Sequence, residues 1–165
     1  MVDIWGAVLY IIGQNMDWGK VHGDEVQRVN LIDAIGERHM QLREFLDVRW
    51  NEMSDIYLSH SEWRIITQIY REEQTTISTV TKHMDISRQA THKFIKRMTE
   101  KGLVIVMNQE NNKKEKAITL TSLGKECYEK NETLKTELET KIAEHIGAEN
   151  IQMLSKIIHM DWGLK

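Results

Sequence analysis

Residues 76–121, TISTVTKHMDISRQATHKFIKRMTEKGLVIVMNQENNKKEKAITLT, constrain the fold more than any other stretch, because two short helical patterns, a tight turn and two strand patterns follow one another directly. Thr76 is a good N-cap type, and behind it Ile77, Val80 and Met84 recur at spacings of three and four, so a short helix there has one apolar face. Its other face carries Ser78, Thr79, Lys82 and His83. Asp85-Ile86 form the turn, and Ser87 offers the short oxygen side chain that accepts from the free N–H groups opening a second helix, which runs to about Lys101. Gly102 ends that helix as a C′ glycine.

On the second helix Ala90, Phe94 or Ile95, and Met98 recur at helical spacing and are expected to pack on the first, leaving a polar and cationic outer arc. Such an arc suits a DNA major groove, where Arg forks onto guanine, Gln onto adenine, and later Lys and Arg side chains reach phosphates. After Gly102, Leu103 to Met107 is a β-branched run and Lys116 to Leu120 a second strand candidate, joined by a polar link from Asn108 to Glu115. The tip of that link, Asn111-Asn112-Lys113-Lys114, can reverse the chain and present ammonium groups to a phosphate backbone. The candidate DNA-contacting set is therefore Arg88, Gln89, Thr91, His92, Lys93, Lys96 and Arg97 on the helix, with Lys113, Lys114 and Lys116 on the hairpin. For each part a plainer reading exists, a solvated helix face or ordinary loop lysines. Their order in the chain favours the functional one.

Leu58-Ser59 before a helix, Ile77 to Met84, Ser87 onward, Glu100-Lys101-Gly102-Leu103-Val104, and Leu120-Thr121-x-x-Gly124 together resemble the MarR family, bacterial transcription factors that are dimeric winged-helix proteins. The resemblance covers about Gln27 to Met160, and its specific part is the central stretch. In that family the wing reads D-x-R ahead of the L-T-x-x-G end. Here the matching positions are Asn112 and Lys114, so the acid–arginine pair is absent and Lys114 offers a point charge rather than a planar fork. The resemblance also implies a small aromatic or otherwise apolar effector, held near Trp50, Trp63 or Tyr70; the alternative is that these aromatics are core.

The formal charge of −3 looks unsuited to DNA until it is divided. From Thr81 to Lys116 nine Lys and Arg stand against four Asp and Glu, a surplus of five, while the remaining chain carries minus eight. Attraction to phosphate acts over roughly 8 Å at physiological salt, so the local surplus governs contact and the acidic surroundings weaken non-specific binding. With 41% hydrophobic residues the 165-residue chain can bury a core, and the absence of proline fits a mostly helical architecture. One cysteine excludes an intrachain disulfide and fits a reducing, cytoplasmic setting; the N-terminus shows no basic region before its apolar stretch, and no window approaches the ~20 apolar residues of a spanning helix.

Outside the central stretch, Met1 to Gly23 is strongly apolar and punctuated by glycines, so it either packs on a partner subunit as an arm or covers its own core. From Asp24 to about Ser54, Val26, Val29, Ile32, Ile35, Leu42, Phe45 or Leu46, and Trp50 or Met53 outline a long amphipathic helix. Ser59-x-x-Glu62 is a capping-box pattern opening a helix that carries Trp63, Ile66, Ile69 and Tyr70 and ends near Glu73. Beyond the wing, Thr121-Ser122 starts a long helix with Leu123, Cys127, Leu134, Leu138, Ile142 and Ile146, and after Gly147-Ala148 a last helix carries Ile151, Leu154, Ile157 and Ile158. Narrow apolar stripes at both ends of a small chain predict a two-fold dimer. The expected fold is thus mainly α with a small β-hairpin: an arm and dimerisation helix over 1–55, a winged helix-turn-helix over 56–121 and C-terminal dimerisation helices over 122–165.

Seven histidines (His22, His39, His60, His83, His92, His145 and His159) include no H-x-x-x-H pair, and no C-x-x-C occurs, so no metal is expected. Cys127 lies on an apolar stripe and reads as a small buried residue ahead of a redox switch. A glycine-rich phosphate loop, a G-x-S-x-G elbow and a zinc-protease helix are all missing, so neither an enzyme nor a cofactor is expected. The reading that results is a regulator binding a palindromic operator in double-stranded DNA as a homodimer, and the family resemblance implies a repressor released by a small effector; the competing reading is a winged-helix protein-interaction module.

Overall fold

A computed structural model describes residues 30–84, 86–109 and 112–164, at 109 and 112–115 for the backbone alone. The apolar stretch before residue 24, the first turns expected from Asp24, Asp85 and the hairpin tip at 110–111 lie outside the described residues. Two compact units divide at Arg43/Glu44, within the first described helix, α1 (Leu31–Met53). In the smaller unit the described part is helical, with Leu31, Ile32, Ile35, Met40 and Leu42 exposed.

The larger unit continues with α2 (His60–Glu72), β1 (Gln74–Thr76), α3 (Ile77–Met84), α4 (Arg88–Glu100), β2 (Val104–Gln109), β3 (Asn112–Leu120), α5 (Ser122–Ile146) and α6 (Ala148–His159). The expected capping box forms: Ser59 accepts from the Glu62 N–H at 3.4 Å, and the Glu62 carboxylate accepts from the Ser59 N–H at 2.8 Å. Thr76 accepts from the Thr79 N–H at 3.2 Å and Ser87 from the Ala90 N–H at 3.2 Å, so both helices of the central pair start where short oxygen side chains satisfy their free donors.

The hairpin differs from expectation in two ways. Its strands are longer than the Leu103–Met107 and Lys116–Leu120 runs, since Asn108 pairs with Lys116 and Gln109 with Asn112, and the polar residues read as a loop are ladder. A third strand, β1, joins it on the far side of β3 with Thr75 opposite Ile118, giving the order β1-β3-β2. Three residues are too few to display an alternating pattern, which is why sequence periodicity passes over β1.

The core lies between α2, α3, α4 and the sheet. Ile65, Ile66, Ile69, Val80, Met98, Leu103 and Ile118 are fully buried, and Cys127 and Leu134 bring α5 onto the same cluster. Each large aliphatic side chain buried in this way contributes about 1.5–3 kcal/mol. Trp50 meets Trp63 edge to face at 4.7 Å between ring centroids, and its indole N–H donates to the Ile56 carbonyl at 2.7 Å.

The junction between α4, the wing and α5 is tightly specified. Gly102 takes φ +72°, which lets its N–H reach the Thr99 carbonyl and the Leu103 N–H reach that of Met98, both at 2.9 Å. Thr121 then donates its N–H to the Leu103 carbonyl at 3.0 Å and its hydroxyl to the Gly102 carbonyl at 2.7 Å, while its side-chain oxygen caps the Gly124 N–H at 3.0 Å. Gly124 presses so closely on the Leu103 carbonyl that a Cβ there would overlap it.

Two consequences are measurable by denaturant unfolding. Gly124→Ala is expected to destabilise by about 1–3 kcal/mol, although alanine is the better helix former by about 1 kcal/mol, because the obstacle is backbone; an unchanged or raised midpoint would refute the close approach. Burial pushes the Glu62 carboxyl up, but hydrogen bonds from Lys101 and Ser59 and the Lys101 charge outweigh it, so its pKa lies below the ordinary value. A depressed folded-state pKa contributes stability above the unfolded value of about 4.3 that is lost as pH falls through the folded one. Glu62→Gln should therefore cost about 2 kcal/mol near neutrality, and its deficit against the parent should shrink as pH drops below about 4.3; a deficit constant from pH 7 to 3 would contradict this.

Candidate nucleic-acid interface

Thr91, Ile95 and Met98 form the buried face of α4, at spacings of four and three. The arc opposite them carries Gln89, Lys93 and Lys96, flanked on one side by Arg88 and His92, and all five side chains are exposed. Among the described residues, Arg88, Gln89, His92 and Lys93 have no side-chain partner. Lys96 makes a loose contact of 3.8 Å with Glu100, a pair so exposed that it costs little to exchange. The arrangement gives one helix face with a guanidinium, a carboxamide, an imidazole and two ammonium groups near its N-terminal half, the types that reach base edges and phosphates.

Two members of the expected set stand elsewhere. Thr91 is fully buried, with its hydroxyl 3.2 Å from the Ser87 carbonyl and 2.9 Å from the Thr81 hydroxyl. Ile95 and Met98 lie inward as expected, while at the N-terminal end Thr91 rather than Ala90 is buried, so Thr91 ties α4 to α3 and does not face outward. Arg97 sits on the opposite flank from Arg88, with its Nε 3.7 Å from the Glu62 carboxylate and its guanidinium carbon 4.9 Å from the Phe94 ring centroid. It is half-exposed but drawn toward α2. Lys116 is exposed on β3, whereas the side chains of Lys113 and Lys114 lie outside the described part; their backbone belongs to β3.

Of the three aromatics expected near an effector, Trp50 and Trp63 are brought together, as core. Tyr70 is separate: it stacks on Tyr128 at 3.8 Å between centroids, hydrogen-bonds Glu129 at 3.4 Å and keeps open surface. Cys127 is buried, and burial together with the neighbouring Glu126 carboxylate pushes its thiol up against the opposing effect of Lys130, the reverse of what favours a thiolate. Among the described residues, no three His, Cys, Asp or Glu side chains group to hold a metal ion, and no helix is long and apolar enough to cross a membrane. His83 instead meets Gln68 of α2 at 2.7 Å.

What sequence reasoning missed is the tie between helices. Glu62 was legible as a cap, but its second role appears only when Lys101 Nζ is seen to donate to its Oε1 at 2.9 Å and to the Tyr57 carbonyl at 2.7 Å. No local spacing signals a contact 39 residues away.

The comparisons agree with this geometry. Residues 58–116 match the MarR family model. Uncharacterised HTH-type transcriptional regulators of Staphylococcus aureus are 31% identical over 78 residues, 47% of this chain, and the chain spans about half of their length, 52%. A mutant of MarR from E. coli complexed with operator DNA superposes with TM-score 0.58 at 18% identity over 78% of this chain and 96% of that one. NadR in complex with 4-hydroxyphenylacetate superposes with TM-score 0.57 at 22% identity over 81% of this chain and 90% of that one. At these identities the structural likeness is one of fold. The MarR family model thus matches the stretch that holds the winged helix-turn-helix, and solved structures of the same fold cover most of the chain's length.

Proposed function

We propose that the chain is a sequence-specific transcriptional regulator that binds an operator as a homodimer, each copy placing α4 in a major groove with the hairpin beside the phosphate backbone. The observation that carries this reading is the outward arc of α4, where Arg88, Gln89, His92 and Lys93 are exposed and uncommitted while Thr91, Ile95 and Met98 anchor the helix from behind. Operator DNA on a protein of the same fold supports it. Exposed apolar residues on α6 (Met153, Leu154, Ile157 and Ile158) and on the described part of the smaller unit support the second copy. A two-fold dimer requires half-sites on one DNA face, about 10 bp apart or a multiple of that.

Repression relieved by a small effector is part of the same proposal. An aromatic acid bound to NadR supports that ligand class, and here Tyr70 on Tyr128 offers the exposed aromatic surface. Ile105 and Met107, exposed on β2, favour a second reading in which the winged helix docks a protein and never DNA.

Binding to a randomised duplex pool at two salt concentrations, with sequencing of the retained fraction, separates the two. A two-fold motif enriched at both salts is expected; no enrichment by effector-free protein would favour the docking reading. Arg88→Ala should then cost about 1–3 kcal/mol of discrimination at one base pair, whereas Lys96→Ala should weaken all duplexes alike and lower the salt slope by about one. Equal loss of specificity in both variants would contradict these roles.

A further inference from the structure

The Glu62 side chain is 1% exposed, and a carboxylate so placed is costly unless both oxygens are paired. Its Oε2 accepts from the Ser59 N–H and hydroxyl, each at 2.8 Å, and its Oε1 accepts from Lys101 Nζ at 2.9 Å. Ser59 and Glu62 belong to the first turn of α2, whereas Lys101 is the C-cap of α4. The bond therefore joins the start of α2 to the end of α4. At the other end of α4, the Thr81 and Thr91 hydroxyls meet at 2.9 Å and tie it to α3. Between these two polar ties, Ile95 and Met98 hold α4 through apolar burial, which is non-directional, so the directional constraints on the helix come from the ties at its ends.

Tilt matters because of leverage. Thirteen residues span about 20 Å, so a change of about 5° at one end displaces the other by about 2 Å, whereas hydrogen bonds to base edges tolerate only a few tenths of an ångström. We propose that Glu62 is a positioning residue for sequence recognition: by holding Lys101 it fixes the tilt of α4, and so determines which bases Arg88 and Gln89 reach without itself touching DNA. Arg97, held on the same flank by Glu62 and Phe94, serves this brace. The inference rests on the DNA-binding reading above.

The test uses full-length protein, wild type beside Ser59→Ala, Glu62→Gln, Lys101→Met and the double variant Glu62→Gln/Lys101→Met, on one randomised duplex pool, with salt slopes and unfolding midpoints measured in parallel. Wild type should enrich a two-fold motif. Glu62→Gln and Lys101→Met should each reduce discrimination against single-base variants by about tenfold, and the double variant should lose far less than the product of the two, since both weaken the Glu62–Lys101 bond. Their salt slopes should match wild type, because no phosphate contact is lost. Ser59→Ala weakens the cap but leaves Lys101 on Glu62, so it should lower the midpoint while keeping the wild-type ranking of sequences. Wild-type ranking in Lys101→Met would overturn the proposal, and so would an equal loss of ranking in Ser59→Ala, which would trace it to stability alone. Should Glu62→Gln not fold, Lys101→Met decides, because it leaves the capping box whole. Absence of any motif with wild type would overturn the DNA-binding reading and this proposal with it, whereas a wild-type motif read equally well by Lys101→Met overturns the proposal alone.

Discussion

A carboxylate removed from water must find donors for both its oxygens, and at Glu62 that demand organises the larger unit. One oxygen closes the cap of α2; the other needs a cation, which only a chain returning to that point can supply. Lys101 supplies it from the last turn of α4, and the chain must then turn at once, which Gly102 permits by adopting φ +72°. Leu103 enters the sheet from there, its carbonyl takes the Thr121 N–H, and Gly124 seats the first turn of α5 against the same carbonyl. Helix α4, the hairpin and α5 thus follow one another in sequence from one ion pair whose carboxylate is buried.

The same helix must face two environments, and the structure divides its residues accordingly. Thr91, Ile95 and Met98 turn inward, with the threonine hydroxyl satisfied by Ser87 and Thr81 so that its burial carries no orphaned polar group. Arg88, Gln89, His92 and Lys93 turn outward. Arg97 belongs to neither set, since Glu62 and Phe94 hold it on the flank. The free cations are consequently fewer than the sequence count, and the net charge outside this region is strongly acidic. On the DNA-binding reading, long-range attraction is weak and discrimination falls to the placement of a few side chains.

Much of the fold was legible because it is written in local chemistry. Ser59, Thr76, Ser87 and Thr121 each lie one residue from a helix start or at a cap, and Gly102 ends α4 as its position required. What escaped was set by contacts distant in sequence. The β1 strand exists because β3 offers it an edge, and three residues carry no period of their own. On α4 Ile95 and Met98 were legible, but Thr91 was not, because it competes poorly with Ala90 on hydrophobicity, yet its hydroxyl finds partners inside. Trp50 and Trp63 looked available to a ligand until their edge-to-face packing showed them to be core.

Helix α6 poses the remaining physical problem. Twelve residues are marginal as an isolated helix in water, and none of these is buried, although Met153, Leu154, Ile157 and Ile158 are all apolar. Among the described residues, contacts with α5 leave about half of each such side chain exposed, and each forgoes part of the about 1.5–3 kcal/mol that full burial contributes. On the proposed homodimer a second copy would remove that cost symmetrically, because a two-fold interface presents the same patch twice and self-complementarity needs only one apolar stripe. On that reading, the distance between two reading helices is a property of the interface, whereas the tilt of each is a property of the Glu62 brace. Spacing and base choice would then be adjustable separately, so an effector acting on the interface need not disturb what either α4 recognises.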